Sequence, residues 1–345
     1  MKKTAILVLS IFLLVSVLPV FAKGSQEAEA TATTAAKAPV VLKISNGVNE
    51  KHPSYLASVK FGEILNEKLP GHFEVQVYAN AQLGDDVRAT ESTQMGTLEM
   101  VCTSASPLVG LVSDFMVLDL PFIFPSTKAA DAVLDGTVGK ALAAKLEPKG
   151  LKLLAYYENG FRQLTNSARE VRTPADLKGL KIRTMENPIH LAAWKALGAN
   201  PTPMPFSEVF TAMQQKTIDG QENPIPTIYL QKFYEVQDFT TLTGHVYGPH
   251  IMLMNLKLFQ SFTAEEQKVI MEAAQESALY QRKINRQMDK DYVTELRKEG
   301  MTVTELTPAE QKAFQDAVQP VYTQFEDKIG KDLIQQVKDI TSKVK

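Results

Sequence analysis

From Thr263 to Lys298 the chain runs 36 residues without a proline or a glycine. The stretch opens on Thr263-Ala264-Glu265-Glu266, a hydroxyl followed three residues on by a glutamate. That reciprocal arrangement satisfies two orphan N–H groups at a helix start. At 1.5 Å per residue a single helix here would be roughly 50 Å long, the length of a pair of lobes. The spacing predicts a spine lying across a two-lobed molecule; the plainer arrangement is two ordinary helices with an unmarked break.

Upstream, strand and helix signals alternate. Residues 41–44 read as a strand. Residues 53–69 carry apolar side chains at helical spacing, among them Tyr55, Val59, Ile64 and Leu65. Phe73-Glu74-Val75-Gln76-Val77-Tyr78 alternates with period two, as a strand does. A helix over 85–95, a buried strand over 98–103, a helix over 129–146 and a strand over 151–157 follow. Further on, Thr173-Pro174-Ala175-Asp176 places a capping hydroxyl before a proline at the first helical position. A strand over 180–184 and helices over 190–197 and 206–215 come next, and Thr307-Pro308-Ala309-Glu310 opens one more helix. Such alternation predicts α/β layers on largely parallel sheets. From Val40 onward roughly 300 residues remain to be packed, too many for one ordinary core and right for two lobes.

The N-terminus has the form of a secretory signal. Lys2 and Lys3 precede an apolar stretch from Ala5 to Leu18, and Val20-Phe21-Ala22 supplies a cleavage sequence, with cleavage expected after Ala22. The apolar run is shorter than the about 20 residues of a comfortable membrane span; an uncleaved anchor is the alternative. No cysteine lies near the cleavage position to carry a lipid. Residues 23–39, rich in Ala, Thr, Glu and Lys, read as a flexible leader. The formal net charge is −2 and becomes more negative when Lys2 and Lys3 leave, so there is no nucleic-acid footprint. The single cysteine, Cys102, has no partner for an internal disulfide and reads as a small buried hydrophobe.

Two arginines and one asparagine sit beside residues that interrupt regular structure. Arg162 follows Asn159-Gly160, Arg183 lies shortly before Pro188, and Asn223 immediately precedes Pro224. A guanidinium is always charged and presents a planar fork that matches a carboxylate. Leu180 and Ile182 share one face of their strand and Arg183 takes the other, near the C-terminal end, where open α/β folds bind ligands. For either arginine the alternative is a structural ion pair. Enzyme signals are weak. The histidines at 52, 72, 190, 245 and 250 lack metal-site spacing, and there is no G-x-S-x-G elbow or P-loop. Neither a metal nor a cofactor is expected, and the chain does not read as an enzyme.

Several segments occur in a fixed order: Gly160-Phe161-Arg162-Gln163-Leu164-Thr165-Asn166, Thr173 through Arg183, Ala196 through Met204, and Asp219-Gly220-Gln221-Glu222-Asn223-Pro224. In this series the chain resembles the DctP-type solute-binding proteins of tripartite ATP-independent periplasmic (TRAP) transporters, from about Val41 to the C-terminus. The resemblance implies a periplasmic-binding-protein-like α/β fold, with a ligand cleft between two lobes. Lobe I would comprise 40–159 and 249–288, and lobe II 160–248 and 289–345. It implies that Arg183 forms a two-pronged salt bridge to a ligand carboxylate, that Arg162 adds charge, and that Asn223, an amide with donors and an acceptor, orients the ligand. Gln221 and Glu222 would be structural. From Gln82-Leu83-Gly84-Asp85-Asp86, Asp86 would accept from ligand hydroxyls while Asp85 caps the helix. Thr103, Ser104 and Glu186 are further candidates, and Phe206 and His245 match positions that line the pocket. Some sialic-acid-binding members carry Glu where Ser104 stands and Asn where Glu186 stands, which argues against that ligand.

Asn46, Asn49 and His52 follow the first strand, on the expected cleft side. Trp194 reads as core. The function implied is a periplasmic receptor for a small organic acid, either a sugar acid such as a uronate or a C4-dicarboxylate, for whose second carboxylate Arg162 or Lys51 would be the cation. The partners would be the small and large integral membrane subunits of the transporter, with no nucleic acid, and the receptor would be a monomer. The alternatives are a soluble receptor feeding a sensor protein and a secreted α/β enzyme acting on an anionic substrate.

Overall fold

A computed structural model describes residues 38–344; the signal segment and nearly all of the leader lie outside the described residues. In chain order the strands are β1 Val40–Asn46, β2 Phe73–Tyr78, β3 Met100–Ser104, β4 Leu151–Phe161, β5 Gln163–Asn166, β6 Lys181–Thr184, β7 Asn200–Pro203, β8 Gly220–Asn223, β9 Phe239–Leu242, β10 Tyr247–Asn255 and β11 Thr302–Glu305. The helices are α1 Pro53–Lys68, α2 Asp86–Met95, α3 Thr127–Leu134, α4 Thr137–Ala144, α5 Pro188–Ala196, α6 Val209–Gln214, α7 Ile225–Leu230, α8 Leu256–Ser261, α9 Ala264–Lys298, α10 Pro308–Ala317, α11 Gln319–Ile329 and α12 Lys331–Thr341.

Two sheets organise the fold, one in the order β2-β1-β3-β10-β4 and the other in the order β11-β9-β5-β8-β6-β7. They are mixed, where largely parallel sheets were expected. β1 is parallel to β2 and β3, and β6 is parallel to β7 and β8. By contrast β10 runs antiparallel to β3 and β4, and β5 to β8 and β9. The reason is how the chain changes sheets. It leaves β4 for β5 through Arg162 alone and returns from β9 to β10 through 243–246. A parallel neighbour would need a crossover of a dozen or more residues. A strand that re-enters where its neighbour left must run the opposite way.

At this crossing Gly160 has φ +122, and a Cβ there would lie 3.3 Å from Pro224, so only glycine fits without strain. The β4–β10 register slips beside it, between Gly248 and Pro249, leaving Asn159 as the extra residue of a bulge. The expected helix over 129–146 is two helices, α3 and α4, with α4 folded back so tightly that a Cβ on Gly139 would collide with the Leu134 carbonyl.

The spine is one unbroken helix, α9, opened by the expected capping box of Thr263 and Glu266. Its first half buries Val269, Ile270, Ala273 and Ala274 against α1 and β4. Its second half packs on α7 and β11, with Tyr292 stacked on Tyr229 at 4.3 Å and Leu296 fully buried. Between them Gln281 accepts from the Glu158 N–H (2.8 Å) and donates to the Glu158 carbonyl (2.7 Å), satisfying backbone groups next to the bulge. The C-terminal helices α11 and α12 pack on the turns of Ser113–Asp119, and α12 also on α3 and α4 while α11 also meets α5. Among the described residues no helix is long and apolar enough to cross a membrane.

Candidate functional site

A cleft opens where the ends of β1, β3, β4 and β10 from the first sheet meet β6 and β8 from the second. Its walls carry Asn46, Asp86, Thr103, Ser104, Asn159, Arg162, Arg183, Met185, Phe206, Asn223, Thr227 and His250. The three residues singled out from the sequence, Arg183, Arg162 and Asn223, thus come together, joined by Asp86, Ser104 and Phe206.

Arg183 is the penultimate residue of β6 and only 2% exposed. Its Nε and Nη2 donate to the Met204 carbonyl at 3.0 and 2.7 Å, and the Phe206 ring lies 5.9 Å from the guanidinium carbon. Both contacts fix the fork in place. Neither cancels its charge, and no carboxylate among the described residues forms a salt bridge with it. Burial accordingly pulls its pKa down to about 10, with Glu222 opposing that shift. It is still a cation at neutral pH. A buried cation without a counter-ion is costly, and the fold holds this one at the cleft surface.

Arg162 differs. Its Nε donates to Glu222 Oε2, and its Nη2 to Glu222 Oε1 (2.9 Å), to the Glu222 carbonyl (2.5 Å) and to Asn223 Oδ1 (3.2 Å). Most of its charge is spent inside the protein, as the ion-pair alternative had it. Only Nη1 lacks a partner, and it is buried. Glu222 is also approached by two histidines. His245 Nε2 lies 3.1 Å from Oε2, and His190 bonds to Asp119 Oδ1 at 2.9 Å with its Nδ1 3.8 Å from Glu222 Oε1. Burial raises the Glu222 pKa, but Arg162 and the histidines outweigh it and hold the carboxyl well below its ordinary range. For His190, burial opposes protonation, yet Asp119 and Glu222 lift it to about 9. Burial leaves His245 with a lowered pKa despite Glu222. Asn223 is braced within the same network, its amide donating to Gln221 Oε1 at 2.5 Å.

On the other wall, Asp86 begins α2, capped by Asp85, whose carboxylate accepts from the Arg88 N–H at 3.0 Å. Burial pushes the Asp86 carboxyl up to about 6, against the Thr103 hydroxyl and the Arg183 charge. Ser104 Oγ contacts Met185 Sδ at 3.3 Å. The cleft is therefore polar at both ends, with an unpaired guanidinium on one side and a carboxyl on the other.

Five expected residues lie elsewhere. Glu186 is exposed and does not line the cleft. His245 sits behind the site, between Glu222 and Thr243 (2.8 Å), with its ring edge-on to Trp194 at 5.0 Å. His52 caps α1 through Nδ1 and bonds to Thr227 through Nε2 (3.1 Å). Asn49 donates to the Leu230 carbonyl (2.8 Å), and Lys51 is exposed. Asn159, Met185, Thr227 and His250 also line the cleft, without a local signal in the sequence. Asn159 enters through the bulge, and the others through contacts distant in sequence. Cys102 is buried in the wall, its thiol pushed up to about 12 by burial.

A two-sheet α/β molecule with a spine helix and a polar, cation-bearing cleft between its sheets defines a small-molecule binding protein. Residues 44–328 match the family described as bacterial extracellular solute-binding protein, family 7, and the chain belongs to that family. It is 39% identical over 286 residues to the 2,3-diketo-L-gulonate-binding periplasmic protein YiaO of Escherichia coli K12, covering 83% of this chain and 87% of YiaO. It is 35% identical over 298 residues to the C4-dicarboxylate-binding periplasmic protein DctP of Shewanella loihica, covering 86% and 88%. Among solved structures it is similar to the sugar acid binding protein DctPAm of Advenella mimigardefordensis in complex with galactonate. The TM-score is 0.86, with 40% identity over 88% of this chain and 98% of that one.

Proposed function

We propose that this chain is the extracytoplasmic receptor of a TRAP transporter, that it captures a small hydroxylated monocarboxylic acid of the sugar-acid class, and that it delivers the acid to the membrane subunits. One observation carries the reading: among the cleft residues Arg183 is a buried guanidinium with no carboxylate partner, while the charge of Arg162 is engaged by Glu222. A ligand carboxylate on Arg183, with Arg162 Nη1 and the Asn223 amide as further donors, would supply the missing counter-ion. The opposite wall offers Asp86, Thr103 and Ser104, acceptors and hydroxyls suited to ligand hydroxyl groups. A C4-dicarboxylate suits the site less, because its second carboxylate finds Asp86 where it needs a cation. The kinship to YiaO and DctPAm supports the same class. Binding without turnover, in the periplasm after removal of residues 1–22, and as a monomer, completes the reading. Lobe closure about the β4–β5 and β9–β10 crossings would exclude water and strengthen the charged hydrogen bonds.

A thermal-shift series on the protein from Lys23 onward tests this, with galactonate, erythronate, a uronate, succinate and malate. A ligand at 100 times its dissociation constant stabilises by about 2.7 kcal/mol. A shift with hydroxylated monocarboxylates and a smaller one with succinate is expected. Stabilisation by the diacids alone overturns the sugar-acid assignment, and none with any acid overturns carboxylate capture.

A further inference from the structure

Resting on the receptor reading, the geometry points to His250 as a specificity-determining residue. It would be a neutral hydrogen-bond donor, held in one tautomer by Ser54, that reads a single ligand oxygen other than the carboxylate. His250 lies in β10 with its ring in the cleft wall and is 6% exposed. Its Nδ1 is 2.8 Å from Ser54 Oγ at the start of α1. That hydroxyl has one proton and, among the described residues, no other acceptor, so it donates to Nδ1. The ring proton must then sit on Nε2. Among the described residues Nε2 has no partner, and it is not among the fully buried unsatisfied atoms. It is a free N–H on a ring that lines the cleft.

The surroundings keep the ring neutral. No carboxylate pairs with His250, and its charged or polar neighbours, His52 at 5.8 Å between ring centres and Arg162, oppose a positive charge. Burial is the main cause holding its pKa well below 6.5, with His52 and Arg162 adding to it. His52 cannot take up the role itself. Its Nδ1 accepts from the Ser54 N–H (3.2 Å), so its Nε2 donates to Thr227 Oγ, which in turn donates to Asn159 Oδ1 (3.1 Å). Both histidines are thus fixed by the first turn of α1, one with its proton used and the other with its proton offered. A neutral donor serves a hydroxyl or carbonyl oxygen; it gives a second carboxylate one hydrogen bond and no charge.

The test is calorimetric titration of wild type, His250→Leu, His250→Gln and Arg183→Ala with galactonate, its five monodeoxy analogues and succinate. Leucine removes the donor; glutamine carries an N–H at similar reach. We expect His250→Leu to lose about tenfold in affinity for galactonate, His250→Gln to recover most of it, and one deoxy analogue to bind His250→Leu and wild type equally. Wild-type affinity for galactonate in His250→Leu overturns the inference, as does an equal loss across every analogue. If Arg183→Ala binds as wild type does, or wild type binds no acid or only succinate, the sugar-acid reading falls and this inference with it. A second measurement does not depend on a folding variant. The ¹⁵N spectrum of His250 in wild type should show the neutral Nε2–H tautomer at pH 6, its Nε2–H resonance moving on ligand binding. An Nδ1–H tautomer or a cation would overturn the assignment.

Discussion

The two cleft arginines invite the same substitution and should answer oppositely. In Arg162→Met the lost charge strands Glu222, which is fully buried and bonded to Arg162 through both carboxylate oxygens. Removing one partner of a buried pair costs about 3–5 kcal/mol. In a chain this size roughly 2 °C of melting temperature goes with each kcal/mol, so a fall of about 6–10 °C is expected. In Arg183→Met the lost charge had no protein counter-ion. Its pKa is pulled from 12.5 to about 10, and at 1.36 kcal/mol per unit that opposes folding by about 3 kcal/mol. A base whose folded pKa is depressed disfavours folding at every pH below the folded value, so the whole amount applies at neutral pH. Against it stand two hydrogen bonds to the Met204 carbonyl, each worth about 1 kcal/mol. The ligand-free variant should therefore melt within about 2 °C of wild type, or slightly above it. Its affinity for the acid should fall by about 2–5 kcal/mol, between thirtyfold and several thousandfold. Scanning calorimetry without ligand and titration calorimetry with galactonate measure the two quantities. If ligand-free Arg183→Met melts as low as Arg162→Met, Arg183 is a structural residue and the counter-ion argument is wrong.

Other outcomes follow from the same electrostatics. Glu222 is held below its ordinary pKa, so its contribution is present above about pH 4.5 and is lost as the pH falls towards the folded value. His190 is raised from 6.5 to about 9, so its contribution is complete below pH 6.5 and fades as the pH rises through 9. His245 and His250 are instead lowered from 6.5, so stability falls as the pH drops below 6.5; melting temperature should peak at about pH 6.5–7, and His190→Gln should flatten the alkaline side. With Asp86 near pH 6, affinity for an anionic ligand should weaken as the pH rises through that value; Asp86→Asn should remove the midpoint in calorimetric titrations, and a persisting midpoint would assign the titration elsewhere. Trp194, the only tryptophan, touches His245 and through it Glu222, so saturable quenching or enhancement of its emission should accompany acid binding and be absent in Arg183→Ala.

Local sequence determined the elements whose cause is local. The capping boxes at Thr263 and Thr307, the proline-led start at Pro53, and the period-two strand at Phe73–Tyr78 each rest on residues within a turn of one another. The absence of a breaker between Thr263 and Lys298 likewise sufficed for one long helix. Arg183, Arg162 and Asn223 were legible because glycine or proline lies close to each and because their segments resemble a family. What the tertiary structure decided was partnership. Nothing near Arg162 in the chain says that its charge goes to Glu222, 60 residues on, while Arg183 is left without a carboxylate. Nothing near His250 says that Ser54, 196 residues away, fixes which nitrogen carries its proton. His245 and His52 looked like cleft residues and turned inward to acceptors that only the folded chain brings near. Backbone preferences are short-ranged and written locally. Whether a buried charge is paired depends on which strands lie beside it, and here the pairing of β8 with β5 brings Glu222 to Arg162.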